Sequence, residues 1–264
     1  MKNIITAMIA LAILALLALG CSQSGSSSSN NSNNSNNSNN SNNSNNSNNS
    51  NNSSTNSNSS TPTDSKDSDV AGSYSITGEN LSGQTYKGDL TIKKQDQVYQ
   101  FSWNVDGSSY DGVGVRDGEL IAVGYGAGEN GKGCGAAIYR IGDKTLEGRL
   151  GGWGYNQVGT QSALLIKQNK DGGIFTVTGT DTDGSDYRGE LYVAQSKSDV
   201  YHFAFKGGKI NYIGTGIKVG DFFGAGMGVK QCGFVVYDIK GDKLEAAWGV
   251  VGNDKLGTEV ATRK

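Results

Sequence analysis

Val98-Tyr99-Gln100-Phe101-Ser102-Trp103-Asn104-Val105 and Val200-Tyr201-His202-Phe203-Ala204-Phe205 are one phrase written twice. In each, large apolar side chains alternate with smaller or polar ones. A period of two puts Tyr99, Phe101, Trp103 and Val105 on one face of a strand, and Tyr201, Phe203 and Phe205 on one face of another. The correspondence extends in both directions. GSYSITG from Gly72 pairs with GIFTVTG from Gly173, and YKGDLTI from Tyr86 with YRGELYV from Tyr187. YDGVGV from Tyr110 pairs with YIGTGI from Tyr212, CGAAIYRI from Cys134 with CGFVVYDI from Cys232, and VGT from Val158 with LGT from Leu256. Such self-similarity in unbroken order marks a duplicated module, with copy 1 over 69–168 and copy 2 over 169–264.

Turn signals separate the runs at Gly83, Asp96, Asp106-Gly107, Asp117-Gly118, Gly131 and Asp143 of copy 1. This punctuation predicts about eight short strands per copy and no amphipathic helix. Forty glycines fit that reading, since tight turns and crowded strands both use residues without a Cβ. Closure removes exposed edges, and an eight-stranded barrel is just wide enough to be filled by its own side chains. The expected fold is all-β, with two tandem antiparallel barrel-like modules after a disordered linker. A single pseudo-symmetric assembly, such as a four-bladed propeller with two blades per copy, is the alternative. The G-x-Y-x-I-x-G opening followed by Y-x-G-x-L-x-I resembles uncharacterised β modules of exported bacterial proteins, some labelled fibronectin-binding, and has a weaker likeness to avidin-type barrels. That resemblance covers nearly all of Val70 to Lys264 and carries no binding residue over.

At the other end, Lys2 precedes an apolar run from Ile4 to Leu19, then Gly20 and Cys21. This is the layout of a signal peptide over residues 1–20. The run is about 16 residues, shorter than the roughly 20 a spanning helix needs. Leu17-Ala18-Leu19-Gly20-Cys21 resembles the lipobox of bacterial lipoproteins, with Ala18 where that family usually has leucine. The resemblance implies cleavage before Cys21 and lipidation of Cys21, so that the lipid bilayer is one partner. Ser22 rather than Asp follows the cysteine, which in enteric bacteria favours the outer membrane, and the expected location is the cell envelope or cell surface. From Ser22 to Ser60 the chain is almost only Ser and Asn. Such a segment buries too little apolar surface to offset its ordering entropy, so residues 21–68 are expected to be a lipidated, disordered tether. Flexible-chain statistics give its 47 or so residues a mean span of about 35–40 Å.

Removal of Lys2 leaves 22 basic against 25 acidic residues, a net charge of −3, which suggests no nucleic-acid partner. The lone histidine, His202, alternates with Tyr201 and Phe203 and so faces away from them. With a single histidine, read as facing solvent, and no cysteine cluster, a triad or a zinc site is hard to build, so no catalytic residue, metal or cofactor is expected. Gly126 to Lys132 spells G-x-x-x-x-G-K, but Gly133 stands where a P-loop needs Ser or Thr, and a strand follows instead of a helix. Asp181, Asp183 and Asp186 look like a calcium loop with its glycine two positions early, and a hairpin turn is the plainer reading.

Features present in both copies are most simply fold requirements, and features in one copy are free to be functional. Tyr86 with Tyr187, Tyr110 with Tyr212, and Tyr139 with Tyr237 are therefore expected to fill the barrels, their hydroxyls reaching backbone or water. GGWGYN from Gly151 has only GVVGND as its partner from Gly249, which makes Trp153 and Tyr155 the ligand-binding candidates. They either form a stacking platform at a barrel mouth, beside the Gly126–Gly133 loop of copy 1, or pack Trp153 between the modules. Cys134 and Cys232 open equivalent strands. A disulfide between them requires the modules to meet about a pseudo-twofold axis, whereas cysteines of two separate barrels need not be near each other and can be ordinary core residues. The expected function is that of a non-catalytic, lipid-anchored binding module for an unidentified macromolecule or small molecule. A structural or hydrolase-inhibitor lipoprotein is the alternative, and a glycan-acting enzyme a more distant one.

Overall fold

A computed structural model describes residues 69–264 apart from 197, 209, 230 and 231. The expected signal peptide, the expected lipidation site at Cys21 and the expected Asn/Ser tether lie outside the described residues.

Copy 1 supplies β1 (Gly72–Glu79), β2 (Thr85–Gln95), β3 (Val98–Val105), β4 (Ser108–Asp117), β5 (Leu120–Ala127), β6 (Cys134–Ile141), β7 (Thr145–Gly152) and β8 (Gly159–Asn169). Copy 2 supplies β9 (Gly172–Thr180), β10 (Asp186–Gln195), β11 (Val200–Gly207), β12 (Ile210–Val219), β13 (Phe222–Gly228), β14 (Gly233–Lys240), β15 (Lys243–Gly249) and β16 (Gly257–Arg263). Every turn signal read from copy 1 falls at a connection or at its edge. At Asp106-Gly107 both residues have positive φ, 48° and 81°, the backbone that a two-residue hairpin demands.

The strands close into two eight-stranded antiparallel barrels, with no propeller blades. Barrel 1 runs β1-β16-β15-β14-β5-β4-β3-β2 and barrel 2 runs β10-β11-β12-β13-β6-β7-β8-β9. The barrels do not coincide with the sequence copies. Each takes five strands from one copy and three from the other, because β5 pairs with β14 and β13 with β6. Adding or subtracting eight from each strand number turns one order into the other, so the exchange has pseudo-twofold symmetry. Cys134 and Cys232 stand at the two crossovers and are bonded, their Cα atoms 5.7 Å apart. The pseudo-axis that such a bond required is created by the exchange itself.

Alternation sorts the side chains between lumen and outside. Tyr74, Ile76, Leu90, Ile92, Phe101, Ile121 and Tyr237 fill barrel 1, while Tyr139, Leu146, Val177, Leu191, Phe203 and Phe205 fill barrel 2. Each large side chain so buried contributes about 1.5–3 kcal/mol relative to exposure, and a one-residue slip would forfeit the whole set. The barrels meet along the outer faces of the strands at and beside the two crossovers. Val98, Val113, Val115, Ala122, Ala136 and Ile138 form one cluster there, and Ile217, Phe234 and Val236 form its counterpart. Backbones touch at this seam: a Cβ on Gly124 would lie 1.8 Å from the Gly135 carbonyl oxygen, and one on Gly226 would lie 2.1 Å from that of Gly233.

Candidate functional site

One end of barrel 1 opens into a cavity of about 750 Å³, within the range of small-molecule sites. Its position follows from the alternation: the inward residues nearest this end are Tyr86 on β2, Trp103 on β3, Tyr110 on β4, Tyr125 on β5, Trp248 on β15 and Glu259 on β16. Asn80, Leu81, Ser82, Asp106, Val250 and Val251 form the rim. The rings pack edge to face and at tilts. Trp103 and Tyr125 are 5.9 Å apart, Tyr110 and Tyr125 6.1 Å, and Tyr86 and Trp248 6.3 Å.

Glu259 closes the floor and is only 5% exposed. Its Oε1 accepts hydrogen bonds from the Tyr237 hydroxyl and from Trp103 Nε1 at 3.3 Å, and its Oε2 accepts one from the Tyr86 hydroxyl at 3.0 Å. Burial raises the carboxyl above its ordinary range, and the three hydrogen bonds oppose that rise without cancelling it. The phenols respond in kind. Burial first, and then the nearby Glu259 carboxylate, push Tyr86 and Tyr237 well above the usual phenol value. These groups are donors at every ordinary pH. Among the described residues no cationic side chain forms an ion pair with Glu259.

The equivalent place in barrel 2 holds Gln161, 1% exposed. Its Oε1 accepts from the Tyr139 hydroxyl at 2.6 Å, and its Nε2 donates to the hydroxyls of Tyr187 at 3.0 Å and Tyr212 at 3.1 Å. Burial pushes the Tyr212 hydroxyl up to about 12. Around this amide the positions matching Trp103, Tyr125 and Trp248 are Phe205, Met227 and Leu150.

The sequence candidates fall elsewhere. Trp153 is half-buried against the Val98, Val115, Ala136 and Ile138 cluster between the barrels, with Lys132 Nζ 5.7 Å from its ring centre. Its loop is tied to the β2–β3 turn, where the Gln97 N–H donates to the Asn156 carbonyl at 2.9 Å and Gln157 Nε2 donates to Asp96 Oδ2 at 2.6 Å. Tyr155 is exposed. Neither lines the barrel 1 cavity, so of the two readings of Trp153 packing describes its surroundings. On the pseudo-symmetric side Val251 stands in place of Trp153 and turns to the cavity rim. The matching groove, among Tyr201, Ile217 and Leu256, is left as a cleft of about 420 Å³.

The tyrosines read as structural need correction in one respect. The hydroxyls of Tyr86 and Tyr237 meet Glu259 and those of Tyr139, Tyr187 and Tyr212 meet Gln161, a buried side chain in each case, and Tyr86 and Tyr187 also donate to the Thr258 and Thr160 carbonyls. Tyr86 and Tyr110 are also cavity walls, and the cavity draws on both copies where copy 1 alone was expected to supply it. Sequence reading missed Trp103, Tyr125, Trp248 and Glu259 as a set. The signal was a single letter, VGTQ against LGTE, together with three aromatic replacements on strands far apart in the chain.

The remaining motifs resolve as turns and surface. In the β9–β10 hairpin Asp183 Oδ1 accepts from the Ser185 amide at 2.9 Å and from its hydroxyl at 2.6 Å, and these bonds hold its carboxyl below the usual range. Among the described residues no three His, Cys, Asp or Glu side chains gather as a metal site. Lys132, in the P-loop-like run, pairs with Glu129 at 2.7 Å. His202 is half-buried on the outer side of β11. No protein-family model, curated protein or solved structure matches the chain.

Proposed function

We propose that this chain is a lipid-anchored envelope lipoprotein whose exported part is a non-catalytic binding module, held out on the Asn/Ser tether, and that the ligand enters barrel 1. The observation that carries the lumenal site is the cavity's lining: five aromatic side chains around a buried, hydrogen-bonded carboxylate. In barrel 2 the positions of Trp103, Tyr125 and Trp248 are taken by Phe205, Met227 and Leu150, so closing the lumen does not itself require these three rings. Rings that leave a cavity of about 750 Å³ among them offer apolar area on stiff supports, at little entropic cost to a ligand. A volume of that size fits a small molecule or a chemical group at the end of a larger one. The anchor rests on the Cys21 motif, and the non-catalytic reading on the lack of a hydrogen-bonded nucleophile–base pair among the described residues lining the cavity.

Intrinsic fluorescence tests the lumen directly, because two of the three tryptophans, Trp103 and Trp248, line it. A screen of small molecules against the mature chain should yield ligands that quench this emission. Trp248→Ala should weaken them at least tenfold while Trp153→Phe does not. Ligands that bind the Trp248→Ala variant undiminished would move the site out of the lumen. The anchor is tested by lipid labelling, which Cys21→Ala should abolish. Unchanged labelling and membrane association in that variant would overturn the lipoprotein reading.

A further inference from the structure

We propose that the ligand of barrel 1 carries an organic ammonium group, seated against Glu259 inside the aromatic wall of Tyr86, Trp103, Tyr125 and Trp248. This rests on the lumenal reading above and names its ligand class. Four observations converge on it.

Barrel 2 shows what the fold requires at this place. Gln161 holds the same position, takes the same tyrosine from the neighbouring strand pair, and satisfies its hub with no charge. Closing the barrel therefore does not need a carboxylate. Glu259 brings a buried negative charge, whose removal from water is costly unless something opposite in sign meets it. Its three donors, Tyr86, Trp103 and Tyr237, are all neutral.

The surroundings change in the same sense. Phe205, Met227 and Leu150 of barrel 2 are replaced in barrel 1 by Trp103, Tyr125 and Trp248. Each replacement installs a larger or more electron-rich ring, and indole and phenol faces attract cations more than phenyl, thioether or alkyl groups do. Among the described residues, the charged side chains lining the cavity are all of one sign: Glu259 on the floor and Asp106 on the rim, with no Lys, Arg or His. Finally, a metal ion fits poorly. One carboxylate among aromatic rings does not replace a hydration shell, and among the described residues no acidic cluster adds ligands. A quaternary organic ammonium sheds its water more readily and presents an apolar shell to the rings.

The test uses the mature chain and a displacement assay. N-phenyl-1-naphthylamine, neutral at pH 7, reports occupancy of the lumen. Acetylcholine and its uncharged isostere 3,3-dimethylbutyl acetate compete for it, the pair differing only in the charged nitrogen. The wild type should prefer the cation by tenfold or more. Glu259→Gln, which copies the hub of barrel 2, should bring the two competitors within about twofold of each other while still binding the naphthylamine. Trp103→Phe, which copies Phe205, should reduce the preference and keep the fold, so that a poorly folded Glu259→Gln protein leaves the question decidable. If the naphthylamine binds and the wild type shows no preference for the cation, the ammonium assignment is wrong and the lumenal site stands. If the naphthylamine, the cation and the isostere all fail to bind, both readings fall.

Discussion

Barrels 1 and 2 share strand order, register and a fully buried tyrosine on equivalent strands, Tyr237 and Tyr139, yet the group each tyrosine meets differs by one atom type. In barrel 2 the partner is the Gln161 amide, which both accepts and donates, so a closed set of neutral hydrogen bonds fills the hub. In barrel 1 the partner is the Glu259 carboxylate, which only accepts, and Tyr86, Trp103 and Tyr237 each turn a donor towards it. The same scaffold thus carries one lumen that is electrically self-sufficient and one that is not. Duplication supplied an internal control: whatever the fold needs is visible in the barrel that does without the charge.

The largest expected effect comes from breaking the symmetry at its stitch. The Cys134–Cys232 bond joins residues 98 apart in sequence, and restriction of the unfolded chain alone contributes up to about 4–5 kcal/mol. Chemical denaturation of the Cys134→Ser, Cys232→Ser double variant should show a loss of about 2–5 kcal/mol, matched by the reduced wild type. Equal stability with and without reductant would mean the exchanged strands hold themselves.

Exchanging the hubs sharpens the contrast. Gln161→Glu buries a carboxylate among the hydroxyls of Tyr139, Tyr187 and Tyr212, two of which now accept from the Gln161 amide and would have to turn round to donate. The expected cost is about 2–4 kcal/mol at neutral pH, shrinking in acid as the carboxyl takes up a proton. A variant as stable as the wild type at pH 7 would show that barrel 2 also tolerates a buried charge.

Trp153→Ala opens the seam between the barrels and should cost about 1–3 kcal/mol, less than a fully buried tryptophan would, with ligand binding to the lumen unchanged. Lost binding at unchanged melting temperature would restore Trp153 as a binding platform. Val251→Ala, its partner on the cavity rim, should change stability by under about 0.5 kcal/mol and alter lumenal affinity slightly, which titration of the same ligand checks.

The smallest effect is a change in pH dependence. Burial raises the Glu259 carboxyl above its ordinary 4.5, so the folded protein holds that proton more tightly than the unfolded chain does. The resulting stabilisation is full below 4.5 and is lost as pH rises through the folded-state value. Melting curves of Glu259→Gln should lack this decline, and the variant should gain on the wild type as pH increases. Parallel curves for the two proteins would show that the hydrogen bonds to Glu259 balance its burial.

Much of the architecture was legible because it rests on local chemistry. The alternation of Tyr99, Phe101 and Trp103 announces a strand with one buried face, and positive-φ turns such as Asp106-Gly107 announce where strands reverse. The repeat divides the strands into two equal sets. The candidate site was less legible for a specific reason. Tyr86 and Tyr110 recur in both copies and so read as structural, while Glu259 is 156 residues from Trp103 and differs from its counterpart by a single side-chain atom. Trp153, conspicuous because copy 2 has nothing like it, proved to sit in a seam whose other side is simply less well filled.

Sequence alone determined the strands, their faces, their turns and their number, because each of these depends on residues within a few positions of one another. Which strand completes which barrel was decided only in three dimensions. CGAAIYRI and CGFVVYDI present nearly the same inward face and the same backbone ladder, so β5 can close with β6 or with β14 at similar local cost. What separates the two outcomes is non-local: the apolar seam through Val115, Ile138, Ile217 and Val236, the glycine contacts at Gly124 and Gly226, and the disulfide that bridges the crossovers. The cavity follows from that choice, since only the exchange brings Trp248 and Glu259 of one copy into the same lumen as Tyr86, Trp103 and Tyr125 of the other.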